Sequence, residues 1–124
     1  MSFPDHIQNA LETDCVIDIT TIGRSSGTPR RIETWFYRVG DRYYLTGSPG
    51  KRDWLANLKA NPAFTFHLKK TTTADLAATA TVISDGTTRR EIMSPVLDIV
   101  GRPQSDLDTW VASAPLAEIT FTNS

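Results

Sequence analysis

Apolar and polar positions alternate with a period of two over much of the chain, and that alternation predicts strands. Cys15 to Ile22 makes a first one, rich in β-branched side chains. Arg31 to Val39 and Arg42 to Gly47 make a second and a third, separated only by the tight turn Gly40–Asp41, so the pair reads as an antiparallel hairpin. Phe64, Phe66 and Leu68 alternate with Thr65 and His67 in a fourth strand. Leu76, Ala78, Ala80 and Val82 mark a fifth, joined to the fourth through Thr71 to Thr73. Ala117, Ile119 and Phe121 mark a last. Gly23 to Arg30, with two glycines, two serines and Pro29, reads as a turn without regular structure.

Elsewhere the period is helical. Phe3 to Glu12 sets Phe3, Ile7, Ala10 and Leu11 on one face. Ser48 can cap a helix that starts at Pro49 or shortly after, buries Trp54, Leu55 and Leu58, and stops at Asn61–Pro62. From about Thr87 to Val100 the spacing of Ile92, Val96, Ile99 and Val100 predicts another helix, kinked or restarted by Pro95. Ser105 with Asp108 predicts a fresh helix start covering Leu107, Trp110 and Val111.

Strands joined by short turns, with a helix inserted after the third, predict an α+β fold built on a small antiparallel β-barrel, closed or split, because closure removes exposed sheet edges. An open antiparallel sheet with helices on one face is the alternative. A chain of 124 residues suits one domain, residues 1–124, with its own core and no need of a disulfide or metal. No repeat, low-complexity tract or linker interrupts it.

Composition narrows the partners. The net charge is −1, which speaks against general nucleic-acid binding. The one cysteine, Cys15, opens an apolar run and reads as a small buried hydrophobe. Residues Met1 to Asp14 lack the basic and apolar regions of a signal peptide, and no apolar run approaches the ~20 residues of a membrane span, so a cytoplasmic location is expected.

Against that balance, Gly23 to Arg31 holds three arginines (Arg24, Arg30 and Arg31) and no acid. Ser25, Ser26 and Thr28 add hydroxyls, so the turn can form an anion-binding concavity with bidentate arginine contacts. A second basic segment, Gly47 to Trp54, sets Lys51 and Arg52 at the expected start of a helix. Cations are unfavourable at that end, whereas an external anion is favoured there, so the two point to an anion absent from the sequence. The two loops could meet at one rim of a barrel. No metal-ligand spacing, nucleophile elbow, phosphate loop or dinucleotide fingerprint occurs. His67 reads as structural, Glu33 as an ion-pair partner of its neighbouring arginines, and Trp35, Phe36, Tyr37, Tyr43 and Tyr44 as packing, one or two of them free to line a slot for a flat ring. No protein-borne catalytic residue is evident, which suits a cofactor that carries the chemistry.

Thr20–Thr21–Ile22–Gly23–Arg24–Ser25–Ser26–Gly27–Thr28–Pro29–Arg30–Arg31 and Trp54–Leu55–Ala56–Asn57–Leu58–Lys59–Ala60–Asn61–Pro62 resemble, in order, the signature blocks of the deazaflavin-dependent nitroreductase family. The resemblance spans roughly Cys15 to Leu68. It implies a split barrel of the flavin-reductase and pyridoxamine-phosphate-oxidase kind, and coenzyme F-420 as cofactor. It also implies that Arg24, Ser25 and Ser26, the run Arg30, Arg31 and Ile32 to Trp35, the turn Thr46–Gly47–Ser48–Pro49, and Trp54 with Asn57 contact that cofactor. Lys51 and Arg52 join this set on charge. The chain departs from the nitroreductase branch in its short loop from Ser48 to Asp53, in Glu33, and in lacking a tyrosine-rich stretch between Asp85 and Ala114.

The expectation is an oxidoreductase that passes a hydride from coenzyme F-420 to a small unsaturated, quinone-like or nitro acceptor. An FMN-dependent oxidoreductase on the same barrel and a non-enzymatic ligand carrier or sensor are the alternatives, and a homodimer is plausible for such a barrel.

Overall fold

The computed structural model describes residues 3–122. Six strands, β1 (Val16–Ile22), β2 (Pro29–Val39), β3 (Arg42–Thr46), β4 (Ala63–Leu68), β5 (Ala74–Val82) and β6 (Leu116–Phe121), close into a barrel in the order β1-β2-β3-β6-β5-β4. Every neighbouring pair is antiparallel. Four helices fill the connections and the start of the chain: α1 (Asp5–Thr13), α2 (Asp53–Ala60), α3 (Gly86–Val100) and α4 (Leu107–Ser113), the last preceded by a single 3-10 turn at Gln104–Asp106.

The alternation sets one side of each strand inward. Ile17, Ile19, Phe36, Leu45, Phe66, Leu76, Ala78 and Ile119 fill the barrel, and Ala10 and Leu11 of α1 with Trp54 and Leu58 of α2 join the same core. Small residues face large ones: Ala78, Ala80 and Ala117 leave room for Phe36 and Phe66, whose rings meet edge-to-face at 5.1 Å. A second core lies outside the barrel, where Tyr37, Tyr44 and Leu116 pack under Ile92, Met93, Val96 and Leu97 of α3 and Trp110 of α4. β2 and β3 are therefore buried on both faces over Phe36–Tyr37 and Tyr44–Leu45, which is why their apolar residues run together there.

Several boundaries depart from the sequence expectation. Pro29 and Arg30 belong to β2 and pair with Ile22 and Thr21, since a strand's first residue tolerates proline. Ser48 caps nothing: α2 begins at Asp53, and Arg52 precedes it without a side-chain cap. α3 runs through Pro95 as one helix, capped at its start by Asp85, whose carboxylate accepts from the Thr88 amide at 2.9 Å. Ser105 gives α4 no cap. Ile99 and Val100, expected on the buried face of α3, are exposed, and so is Cys15.

Phe66 sits fully buried among Phe36, Phe121 and the strand β1 side chains. Phe66→Ala should destabilise the fold by about 3–5 kcal/mol, read as a lowered urea midpoint with the denaturant slope unchanged.

Candidate functional site

The turn after β1 is held by its own groups. The Gly23 amide donates to the Thr28 carbonyl at 2.9 Å, the Gly27 amide to the Gly23 carbonyl at 2.9 Å, and the Thr28 amide to Ser26 Oγ at 3.2 Å. Gly23 is buried against Ser26, and a β-carbon there would collide with that hydroxyl. Asn57 of α2 anchors the turn from behind. Its buried amide oxygen accepts from the Arg24 backbone N–H at 3.1 Å and from Arg24 Nη1 at 3.4 Å, while its amide nitrogen donates to Thr21 Oγ1 at 3.3 Å.

The segment before α2 is fixed in a comparable way. Arg52 Nη2 donates to the Ser48 carbonyl at 3.0 Å, and the Gly50 amide donates to the Ser113 carbonyl, at the end of α4, also at 3.0 Å. Gly50 has φ +136, a conformation that disfavours any side chain. Folding Arg52 back over its own loop spends part of its charge on carbonyls and leaves Lys51 pointing outward, with no ion-pair partner among the described residues.

The two basic segments meet. A hollow of about 200 Å³ is bordered by Arg24, Ser25, Ser26, Arg30, Asp53 and Asn57, and a second of about 430 Å³ by Arg24, Lys51, Arg52, Asp53 and Lys59. Asp53, 3.9 Å from Arg24, is their one carboxylate among the described residues. On the other side of Arg52 lies a cleft of about 610 Å³. Its walls are Ile32, Trp35 and Tyr37 of β2, Thr46 to Ser48, Trp54, Val100 at the end of α3, and Trp110. Trp35 is 49% exposed, and its ring stacks on Tyr37 at 6.5 Å and 20° between planes. Burial holds the Tyr37 phenol above the usual tyrosine range, so it keeps its proton at neutral pH. Thr46 also lines the cleft, but its hydroxyl donates inward to the Pro115 carbonyl at 2.6 Å.

Of the residues singled out from the sequence, Arg24, Ser25, Ser26, Arg30 and Asn57 gather in the groove, Lys51 beside them, and Ile32, Trp35, Thr46, Gly47, Ser48 and Trp54 in the cleft, with Arg52 between. Arg31 and Pro49 border neither. Arg31 instead pairs with Asp18 at 3.0 Å across β1. Glu33, expected to pair with an arginine, is held by Lys69, which also binds Asp18 at 2.7 Å. His67 is buried, donating from Nδ1 to Asp75 and touching Thr20 Oγ1 at 2.7 Å through Nε2, so it works as a strand-to-strand link. Among the described residues no group of three His, Cys, Asp or Glu side chains could hold a metal. Val100 and Trp110 were not singled out as site residues. The signal for Val100 was an apolar residue on a helix end with no further turn to bury it.

A slot walled by aromatic rings and a nearly acid-free cationic groove share Arg52 at their border, an arrangement that suits an elongated ligand, flat and apolar at one end and anionic at the other. The closed antiparallel barrel with its flanking helices is a split barrel. The fold is similar to that of an F420 reductase (20% identity, 97% of this chain and 96% of that one covered, TM-score 0.71). It is similar as well to a conserved hypothetical protein of Mycobacterium tuberculosis (15% identity, 99% and 82% covered, TM-score 0.76). A putative pyridoxamine 5'-phosphate oxidase of Listeria innocua shares it too (16% identity, 96% and 93% covered, TM-score 0.69). The family described as F420H(2)-dependent quinone reductase matches residues 5–107, and the chain belongs to that family. It is an oxidoreductase whose cofactor is coenzyme F-420. No helix among the described residues is long and apolar enough to cross a membrane.

Two outcomes follow. Asn57→Ala leaves the Arg24 amide and the Thr21 hydroxyl without their partner and should cost about 1–3 kcal/mol, with faster amide exchange confined to residues 23–28. The Asp18 carboxyl is held below its ordinary value of 3.8, chiefly by the Lys69 hydrogen bond and then by Arg31. A depressed folded-state value stabilises above the unfolded value, and that stabilisation disappears as pH falls through the folded one. Asp18→Asn should therefore be less stable than wild type at pH 7, with the difference in urea midpoint shrinking toward pH 3.

Proposed function

We propose that the cleft receives the flat ring of coenzyme F-420 together with a small acceptor, and that the groove receives the cofactor's anionic part. The observation that supports this reading is adjacency: Arg52 borders both cleft and groove, and Arg24 and Asp53 border both halves of the groove. Bound there, the reduced cofactor would supply the hydride. The rest of the catalysis falls to positioning and electrostatics.

Arg24 and Arg30, with Lys51 and Arg52, would hold an anionic group through charge-assisted hydrogen bonds, the guanidinium groups offering paired donors. Ser25 and Ser26 would add hydroxyls. The unpaired amides at the start of α2 favour negative charge in the same place. Asn57 would act through Arg24 rather than on the ligand, since its own amide is spent on the turn. Ile32, Trp35 and Trp54 would offer apolar surface to the rings, and Gly47–Ser48 would bring backbone and a hydroxyl to the seam between ring and anion. The acceptor we favour is an uncharged, flat, quinone-like molecule. Glu33 at the cleft disfavours an anionic one, although Lys69 offsets much of its charge.

Titration of the protein with coenzyme F-420, followed by quenching of tryptophan fluorescence, tests the reading. Binding should weaken with salt. Arg24→Ala combined with Arg30→Ala should raise Kd about 100-fold, from two charge-assisted contacts of roughly 1.5 kcal/mol each. An unchanged Kd in that variant would remove the groove from the site, and tighter binding of FMN than of F-420 would overturn the cofactor's placement. Steady-state rates with a small quinone and a nitroarene then separate the acceptor classes.

A further inference from the structure

Arg89 lies outside both cleft and groove linings, yet it grips the end of α4, which carries Trp110 of the cleft and accepts the Gly50 amide of the basic loop. It stands in the first turn of α3, partly buried, and faces no carboxylate among the described residues. Its guanidinium is occupied by backbone instead. Nη1 donates to the Ile83 carbonyl at 2.8 Å, Nε to the Val111 carbonyl at 2.7 Å, and Nη2 to the Ala114 carbonyl. The last two belong to the C-terminal turn of α4, where helix carbonyls lack partners inside the helix and a cation is favoured.

That turn carries two parts of the site. Trp110, one turn earlier on α4, forms a wall of the cleft. The Ser113 carbonyl, between the two that Arg89 grips, accepts from the Gly50 amide at 3.0 Å and so fixes the loop that bears Ser48, Lys51 and Arg52. The loop's other hydrogen bonds are those of the Arg52 guanidinium to the Ser48 and Lys51 carbonyls, inside the loop, and that of the Ala56 amide to the Arg52 carbonyl at 3.4 Å, where α2 begins. We infer that Arg89 is a positioning residue of the F-420 site: by clamping the end of α4 it sets, through Ser113 and Gly50, where the basic loop stands, and through Trp110, the width of the cleft. The fork of a guanidinium is required, since three carbonyls in three directions exceed what one lysine ammonium reaches in a fixed geometry. The inference rests on the functional reading above for what the loop binds.

The test uses the full chain with Arg89→Met and Arg89→Lys, and Arg90→Met as a control. Arg90 pairs with Asp108 between the same two helices, but on the surface, away from the site. Two quantities are read at a temperature where all variants are folded: amide exchange of Gly50 and of residues 107–114, and Kd for F-420 by tryptophan quenching. Arg89→Met should speed Gly50 exchange about tenfold or more while the barrel strands keep their protection. It should raise Kd and lower kcat/KM about 10- to 100-fold, the scale of a site displaced by a fraction of a residue. Arg89→Lys should recover part of both, and Arg90→Met should match wild type. Protection lost evenly across the barrel would make Arg89 a stability residue and overturn the inference. So would faster Gly50 exchange with an unchanged Kd. Failure of the wild-type protein to bind F-420 at all would instead sink the functional reading, an outcome visible before any variant is compared.

Discussion

Burial of both faces of β2 and β3 is the constraint on which the rest of the structure depends. The inner face, Phe36 and Leu45, belongs to the barrel core, and the outer face, Tyr37 and Tyr44, to the layer under α3 and α4. Each core needs the other, because a strand can satisfy its backbone in the ladder while offering side chains to two hydrophobic layers. The outer layer does not extend along the whole of β2. α3 ends at Val100, stopped by Gly101 in the left-handed conformation, while β2 continues toward Trp35 and Ile32. What the helices leave uncovered is the cleft. Its exposed tryptophan is therefore a consequence of where a helix stops, and an exposed ring beside a hollow marks a ligand surface more than a packing fault.

Charge obeys a comparable logic. The chain as a whole is nearly neutral, yet the barrel closure brings the turn after β1 and the start of α2 to one place, and with them Arg24, Arg30, Lys51 and Arg52. Unscreened cations at short range repel one another; here Asn57 and Asp53 engage Arg24, and backbone carbonyls engage Arg52. The acids of the neighbouring sheet are engaged elsewhere. Asp18 and Glu33 bind Lys69 and Arg31 on the outside of β1 and β2, which keeps their charge from neutralising the groove.

Strand periodicity carried most of the fold into the sequence. A side chain every second position can satisfy only a sheet with one inside and one outside, and six such runs with short turns close most simply as a barrel. Both basic loops were legible likewise, because three arginines without an acid in one, and two adjacent cations at a helix start in the other, are visible at any conformation. The failures have local causes. Ser48 has the chemistry of a cap, but Gly50 at φ +136 and the Arg52–Ser48 contact make the segment a loop, and the helix waits until Asp53. Cys15 opens an apolar run yet precedes the first residue of β1, so the barrel does not cover it. Arg31 alternates with Arg30 on the strand, and one residue of register turns it from the groove to Asp18. Trp110 and Val100 come from the far end of the chain, and no spacing rule joins them to Trp35.

A cofactor that carries the chemistry leaves the chain the task of holding it in place. Asn57 and Arg89 are polar side chains with demanding geometry near the site, and both spend their hydrogen bonds on the protein itself: the first on Arg24 and Thr21 at the turn after β1, the second on backbone carbonyls, two of them at the helix end that carries Ser113. A protein whose cofactor carries the reactive electrons needs few reactive groups of its own. It needs loops that do not move when a charged ligand arrives, since each ångström of play lowers the fraction of bound molecules in a reactive arrangement. Loops rich in glycine and serine have little apolar surface with which to hold themselves, so their order must come from buried amide and guanidinium groups reaching in from helices behind them. In this barrel α2 supplies Asn57 to the first basic loop, and α3 supplies Arg89 to the helix end whose Ser113 carbonyl accepts from the second.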